Sequence, residues 1–126
     1  MIFENQIGMA ALSQLRDRYL RDPLPVRLGG LAANLARIQS FSDHPAHREV
    51  VVKLIEESAW FVEWCAPAAE FETQLFLAEC QRELVRWRFA WNEIWGDAAR
   101  RAKVADQAGR WSARLLELSG FLPASK

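Results

Sequence analysis

Histidine, cysteine and paired carboxylates are the side chains that most often carry chemistry, and this sequence of 126 residues uses few of them in a chemical pattern. Its two histidines, His44 and His47, are three apart, a spacing that could place both on one helix face as metal ligands. Pro45 intervenes, however, and proline suits the first turn of a helix, so His44 falls before the helix and the pair is split. No Glu-x-x-His motif occurs, so the carboxylate-bridged di-iron site of helical bundles lacks its ligands. Neither a metal nor another cofactor is expected. Cys65 and Cys80 are the only cysteines, and neither belongs to a C-x-x-C pair or has a histidine at ligand spacing. Both stand among apolar residues, which predicts two small buried hydrophobes kept reduced in a cytosol. Glu56, Glu57 and Glu63 form an acidic face, but paired carboxylates do acid–base work only in a cleft that raises one pKa. No nucleophile elbow or dinucleotide fingerprint is present, and Gly29-Gly30 lacks the strand before it and the lysine after it that a phosphate loop needs. No catalytic residues are assigned from these patterns.

One pair does match a catalytic family. Arg37 and His44 are separated by six residues at the junction of the second and third helical stretches. The pair resembles the Arg-x(4–6)-His element of HEPN-type ribonucleases, which are small all-helical proteins. The resemblance covers eight residues of 126 and implies RNA cleavage with Arg37 and His44 at its centre. Ile38 stands directly after the arginine, where the family usually has a polar residue, and the element precedes the long helices.

The other conspicuous residues are tryptophans. Trp87, Trp91 and Trp95 are four apart, so with Trp87 at zero they sit at about 0°, 40° and 80° around a helix. Phe76, Leu77, Cys80, Leu84 and Ile94 fall on the same side, between about −20° and 80°. The tryptophans therefore continue a core stripe, where a large ring is an effective filler. Val85 and Phe89 lie on the far side near Ala78, at about 160–200°, surrounded by Arg82, Arg88, Asn92 and Glu93. A second apolar patch rimmed by charge must be covered by another helix or by a partner. Trp60 and Trp64, one turn apart at the edge of their own stripe, are a similar excess, beside the Lys53 and Glu57 pair.

These residues need helices to position them, and the apolar spacing is helical nearly throughout. Ile7, Ala11, Leu15 and Tyr19 give a first stripe, ended by Asp22-Pro23-Leu24-Pro25. Leu28, Leu31, Ala32, Leu35 and Ile38 give a second, in which Gly29-Gly30 is expected to admit a neighbouring backbone. Ser42 or Asp43 should cap a third helix entering at Pro45, with Val50, Val51, Leu54, Ile55, Phe61, Val62 and Cys65 along its stripe. Pro67 marks either a kink or the start of the fourth helix, which is read as running to Trp95. Gly96-Asp97 is a stop and a cap back to back. The last helix carries Val104, Ala108, Trp111, Leu115 and Leu118 and ends at Gly120. The expected fold is all-α: a single-domain, up-and-down bundle of four to five helices spanning residues 1–126.

Net charge is zero, with 16 basic and 16 acidic residues, and the basic runs at Arg86/Arg88 and Arg100, Arg101, Lys103 are flanked by acids. Binding to a phosphate backbone is driven by neutralising it, so nucleic acid is a disfavoured partner. No apolar run approaches the ~20 residues of a membrane span and the N-terminus has no basic, apolar leader, so no membrane partner and a cytoplasmic location are expected. The expected role is non-catalytic: binding a protein partner or a second copy as a homodimer, with Trp60, Trp64, Val85 and Phe89 at the interface. The alternative is a bundle that binds a small molecule or pigment in a pocket lined by Trp60, Trp64, Trp87 and Trp91.

Overall fold

Helix follows helix in the computed structural model, which describes residues 8–120. Among these residues there are six α-helices and no strands. They are α1 (Met9–Leu20), α2 (Leu24–Phe41), α3 (Arg48–Cys65), α4 (Phe71–Phe89), α5 (Trp91–Trp95) and α6 (Ala98–Ser119). The all-α bundle read from the spacing is the fold of the chain. Ile7 of the first stripe lies outside the described residues.

The second stripe is the centre of the core. Leu28, Leu31, Ala32, Leu35 and Ile38 are all buried, and α2 packs chiefly against α6 and α3. The Ser112 hydroxyl donates to the Ala32 carbonyl at 2.7 Å, and a Cβ added at Gly109 would land on the Gln39 amide. Rising numbers on one helix thus meet falling numbers on the other, so α6 returns antiparallel along α2. Gly109 makes room on α6 for the Gln39 side chain of α2. At Gly30 the neighbour is the Tyr19 ring, 3.5 Å from an added Cβ, rather than the backbone expected there.

Three boundaries differ from the sequence reading. Neither Ser42 nor Asp43 caps the third helix. Instead His44 Nδ1 accepts from the Ala46 amide at 3.0 Å, capping a 3-10 turn at Pro45–His47, and α3 begins only at Arg48. The Ser42 hydroxyl turns back to donate to the Ile38 carbonyl, finishing α2. Around Pro67, Ala66–Ala68 forms a second 3-10 turn and Ala69 and Glu70 are extended, so α3 and α4 are separate helices. The third difference is at Ala90 (φ −95°, ψ 16°), whose backbone has left the helical range and divides the stretch expected to run unbroken to Trp95. That break makes six helices rather than four or five. The Trp95 indole N–H beyond it donates to the Pro45 carbonyl at 2.9 Å, tying α5 to the turn before α3. Asp97 caps α6 as expected, accepting from the Ala99 and Arg100 amides. Gly120 ends α6 at φ 84°, where a residue without Cβ is unstrained.

The tryptophans are chiefly core. Trp60, Trp87, Trp91, Trp95 and Trp111 are buried, and Trp64 is half-buried. Trp87 stacks on Trp111 of α6 with centroids 5.2 Å apart, joining the two helices through their rings.

Candidate interaction surface

α4 is apolar on two opposite sides. Thr73, Leu77, Cys80, Leu84 and Trp87 face inward and are buried. Phe71, Leu75, Ala78, Arg82, Val85 and Phe89 follow one another at alternating steps of four and three, which keeps them within about 40° of one line along the helix. This second line is the outer face. Phe71 is 74% exposed, Leu75 57% and Phe89 88%, while Val85 is half-buried. Two nearly bare phenylalanines at the ends of one helical line, with an arginine between them, form a composition favoured where proteins meet.

The flanks of this line differ. Gln74, Gln81 and Arg88, seven apart, lie along one flank, and each reaches across to the antiparallel α3 or the turn after it. Gln74 Nε2 donates to the Ala66 carbonyl at 2.8 Å, Gln81 Nε2 to the Ala59 carbonyl at 3.0 Å, and Arg88 Nε to Glu56 Oε2 at 2.6 Å. On the other flank Glu72, Glu79 and Arg86, also seven apart, are exposed. Glu72 accepts from Arg114 of α6 at 3.1 Å, and Arg86 pairs with Glu83 within α4. Glu79 and Arg82 have no hydrogen-bond or ion-pair partner among the described residues. They sit at a shallow recess of about 410 Å³ left beside the small Ala78 and walled by Leu75 and Phe76.

Of the four residues assigned to an interface, Val85 and Phe89 lie on this face. Trp60 does not offer a surface, being 2% exposed and stacked on Trp64 with centroids 5.9 Å apart. Trp64 in turn packs on Tyr19 and Phe61, and its carbonyl accepts from Arg27, so it belongs to the seam between α3 and the first two helices. Tyr19 of α1 stacks on Phe61 and meets Trp64, so α1 covers this part of α3. Phe71 and Leu75 were not singled out from the sequence. The signal was available as the four–three run, but it starts at a helix boundary that Pro67 obscured.

The four tryptophans assigned to an alternative pocket fall into three ring pairs: Trp60 stacks on Trp64, Trp87 stacks on Trp111, and Trp91 packs tilted against Trp95. Trp87 does line a groove of about 400 Å³ between α4, α5 and α6, together with Ile94 and Val104, the cations Arg86, Arg100 and Lys103, and the acid Glu83 that pairs with Arg86. Arg37 bonds Asn34 at 3.0 Å while His44 caps the 3-10 turn, so each has its own local contact. No group of three or more His, Cys, Asp or Glu side chains able to hold a metal occurs among the described residues. No described helix is long and apolar enough to cross a membrane.

Buried titratable groups are held by neighbours. Glu56 is fully buried, and burial pushes its carboxyl above the ordinary value while the bond and charge of Arg88 oppose the shift. Burial likewise raises the Cys80 thiol, and the Cys65 thiol against the lowering effect of its 3.1 Å contact with the Tyr19 hydroxyl. Comparison with protein-family models, curated proteins and solved structures finds no match to this chain. Its chemistry must therefore be read from its own surfaces.

Proposed function

We propose that this chain is a non-catalytic protein-interaction module, which docks a helix of another polypeptide along the outer face of α4. The observation that carries this reading is the line from Phe71 to Phe89, exposed at both ends and repeating at the spacing by which a helix recognises a groove or another helix. An apolar strip of that length on the surface of a monomer is costly to leave bare and marks a binding site by default. The residues best suited to chemistry support it from the other side. His44 holds a turn, Glu56 is paired with Arg88, and Cys65 is bonded to Tyr19. Cys65 and Cys80 are free thiols, which suits the cytosol.

A photo-reactive phenylalanine analogue at position 89 tests the reading. Irradiated in cells, it should form adducts with polypeptide at several times the yield of the same analogue at exposed Lys53 on α3. Equal yields overturn the proposal. A second reading rests on the groove lined by Trp87, whose cations and apolar residues suit an acidic, partly apolar small molecule. It requires such compounds to quench the tryptophan fluorescence saturably, and to lose that effect with Lys103→Glu.

A further inference from the structure

The outer face of α4 has an internal symmetry. About its midpoint, between Ala78 and Arg82, the apolar residues mirror one another: Phe71 corresponds to Phe89, Leu75 to Val85, and small Ala78 to long Arg82. The exposed charges nearest the line reverse sign about the same point, with Glu72 and Glu79 before it and Arg82 and Arg86 after it, while Glu83 lies farther round the helix and pairs with Arg86. A surface that is apolar-symmetric and charge-antisymmetric about its centre is complementary to itself under a twofold axis normal to the helix. Twofold contacts of this kind are the commonest in homo-oligomers.

We infer that the occupant of this face is a second copy of the chain, docked with the two α4 helices antiparallel and their Ala78–Arg82 segments at the axis. This deepens the interaction reading above and rests on it. In that register each Phe71 meets the Phe89 of the other copy and each Leu75 meets its Val85. The line follows the alternating four–three spacing of a coiled-coil seam, in which antiparallel helices set alternate seam positions against each other. At the centre the long Arg82 of each copy enters the recess beside Ala78 of the other and reaches its Glu79, the acid at the mouth of that recess. Both groups are exposed and have no hydrogen-bond or ion-pair partner among the described residues, so pairing them breaks no described contact. Glu72 faces Arg86 farther out. A parallel pairing would set Arg82 against Arg82 in the seam, which like-charge repulsion opposes, and would turn Glu79 toward the glutamine flank of the other copy, away from its Arg82.

The flanking ladder makes this arrangement accessible. Gln74, Gln81 and Arg88 turn toward α3, so the side chains beside the line on that flank are already engaged and the apolar strip stands clear of them. A 19-residue helix is about 28 Å long, and two such faces bury on the order of 1,000 Å² in total. That is the low end for a specific interface and predicts a dimer that dissociates on dilution through the micromolar range.

The test is sedimentation equilibrium on the full chain, with circular dichroism to confirm that each variant is folded. The substituted residues are largely exposed, so the fold should persist. Wild type should be dimeric, and Phe71→Glu/Phe89→Glu monomeric. Arg82→Glu and Glu79→Arg should each weaken the dimer at least about tenfold, and the double exchange Glu79→Arg/Arg82→Glu should restore it. For direction, Leu75→Cys and Val85→Cys should form an intermolecular disulfide when the two variants are mixed and not when either is alone. Wild type that is monomeric throughout overturns the inference. A dimer indifferent to Phe71→Glu/Phe89→Glu overturns it together with the interaction reading of α4. A dimer that those changes break, but that cross-links within a single cysteine variant, keeps the α4 interface and overturns the antiparallel register.

Discussion

Replacing Arg88 with methionine removes the half-buried cation that pairs with a buried acid. Glu56 of α3 is fully buried; its Oε2 lies 2.6 Å from Arg88 Nε, and its Oε1 has no hydrogen-bond partner among the described residues. Methionine keeps the apolar stem that the arginine lays along the helix and deletes the guanidinium. The variant then holds a buried carboxylate stripped of its cation, a change that costs about 3–5 kcal/mol when one partner of a buried pair is removed. For a chain of this length that is a melting temperature lower by on the order of 10–20 °C.

Acid should return part of the loss. Burial already sets the folded-state pKa of Glu56 above its ordinary value of 4.5, and losing Arg88 raises it further. The folded chain then binds the proton more tightly than the unfolded chain. The stabilisation from protonated Glu56 is present below the unfolded value and is lost as pH rises through the raised one. The deficit of Arg88→Met should therefore be largest at pH 7 and smaller at pH 5. Urea titrations followed by tryptophan fluorescence at both pH values measure it, since the Trp87–Trp111 stack lies beside this position on α4. A loss below about 1 kcal/mol at pH 7 would refute the buried-charge argument, because an exposed pair contributes no more than that. An equal loss at both pH values would assign the effect to packing instead. Glu56→Leu/Arg88→Leu supplies the control: removing both charges together should fall within about 1 kcal/mol of wild type or stabilise.

The two faces of α4 should separate cleanly in stability. Leu84→Ala on the inner face, like Phe61→Ala on α3, should cost about 2–5 kcal/mol, whereas Phe89→Ala should stay within about 0.5 kcal/mol of wild type in dilute, monomeric solution. Cys65 and Cys80 should resist thiol reagents until the protein is unfolded, because burial disfavours both thiolates; rapid native labelling would contradict their placement. Asp97→Ala should remove the cap of α6 and lower stability by about 0.5–2 kcal/mol in thermal denaturation.

The bundle was legible because its core obeys one period. Every member of the second stripe, Leu28 to Ile38, is buried, and the tryptophans of the fourth stretch extend a core line as their angles required. Boundaries were harder to read where two local signals compete. Ser42 is a good cap by type, but its hydroxyl is taken by the Ile38 carbonyl, and a histidine nitrogen performs the capping instead. The break at Ala90 has no glycine or proline to announce it; Trp95 reaches the Pro45 carbonyl beyond it, a contact 50 residues away in sequence. The surplus of large rings was visible in composition, and Val85 and Phe89 were placed on the far side of their helix. Which rings are surplus depended on tertiary structure. Trp60 looked peripheral on its own helix and is covered by Trp64 and its neighbours, while Phe71 became exposed because α4 starts there.

A helix with apolar lines on opposite sides raises the question of what fixes its rotation. Turned by half a revolution, α4 would bury Phe71, Leu75, Val85 and Phe89 but also Arg82 among them, and would expose Leu77, Leu84 and Trp87, so the observed setting is favoured by the line itself. The flanks discriminate strongly. In the observed setting, amide donors of Gln74 and Gln81 face the Ala66 and Ala59 carbonyls, and a guanidinium faces the buried Glu56. The half-turn would bring Glu72, Glu79 and Arg86 to that side and set carboxylates against carbonyl acceptors, leaving buried polar groups unpaired at about 1–3 kcal/mol each. Three polar contacts seven residues apart thus reinforce the choice of core face that Arg82 on the other line already favours. The same three contacts hold the other face turned outward, so the rotation that fills the core also exposes the proposed docking surface.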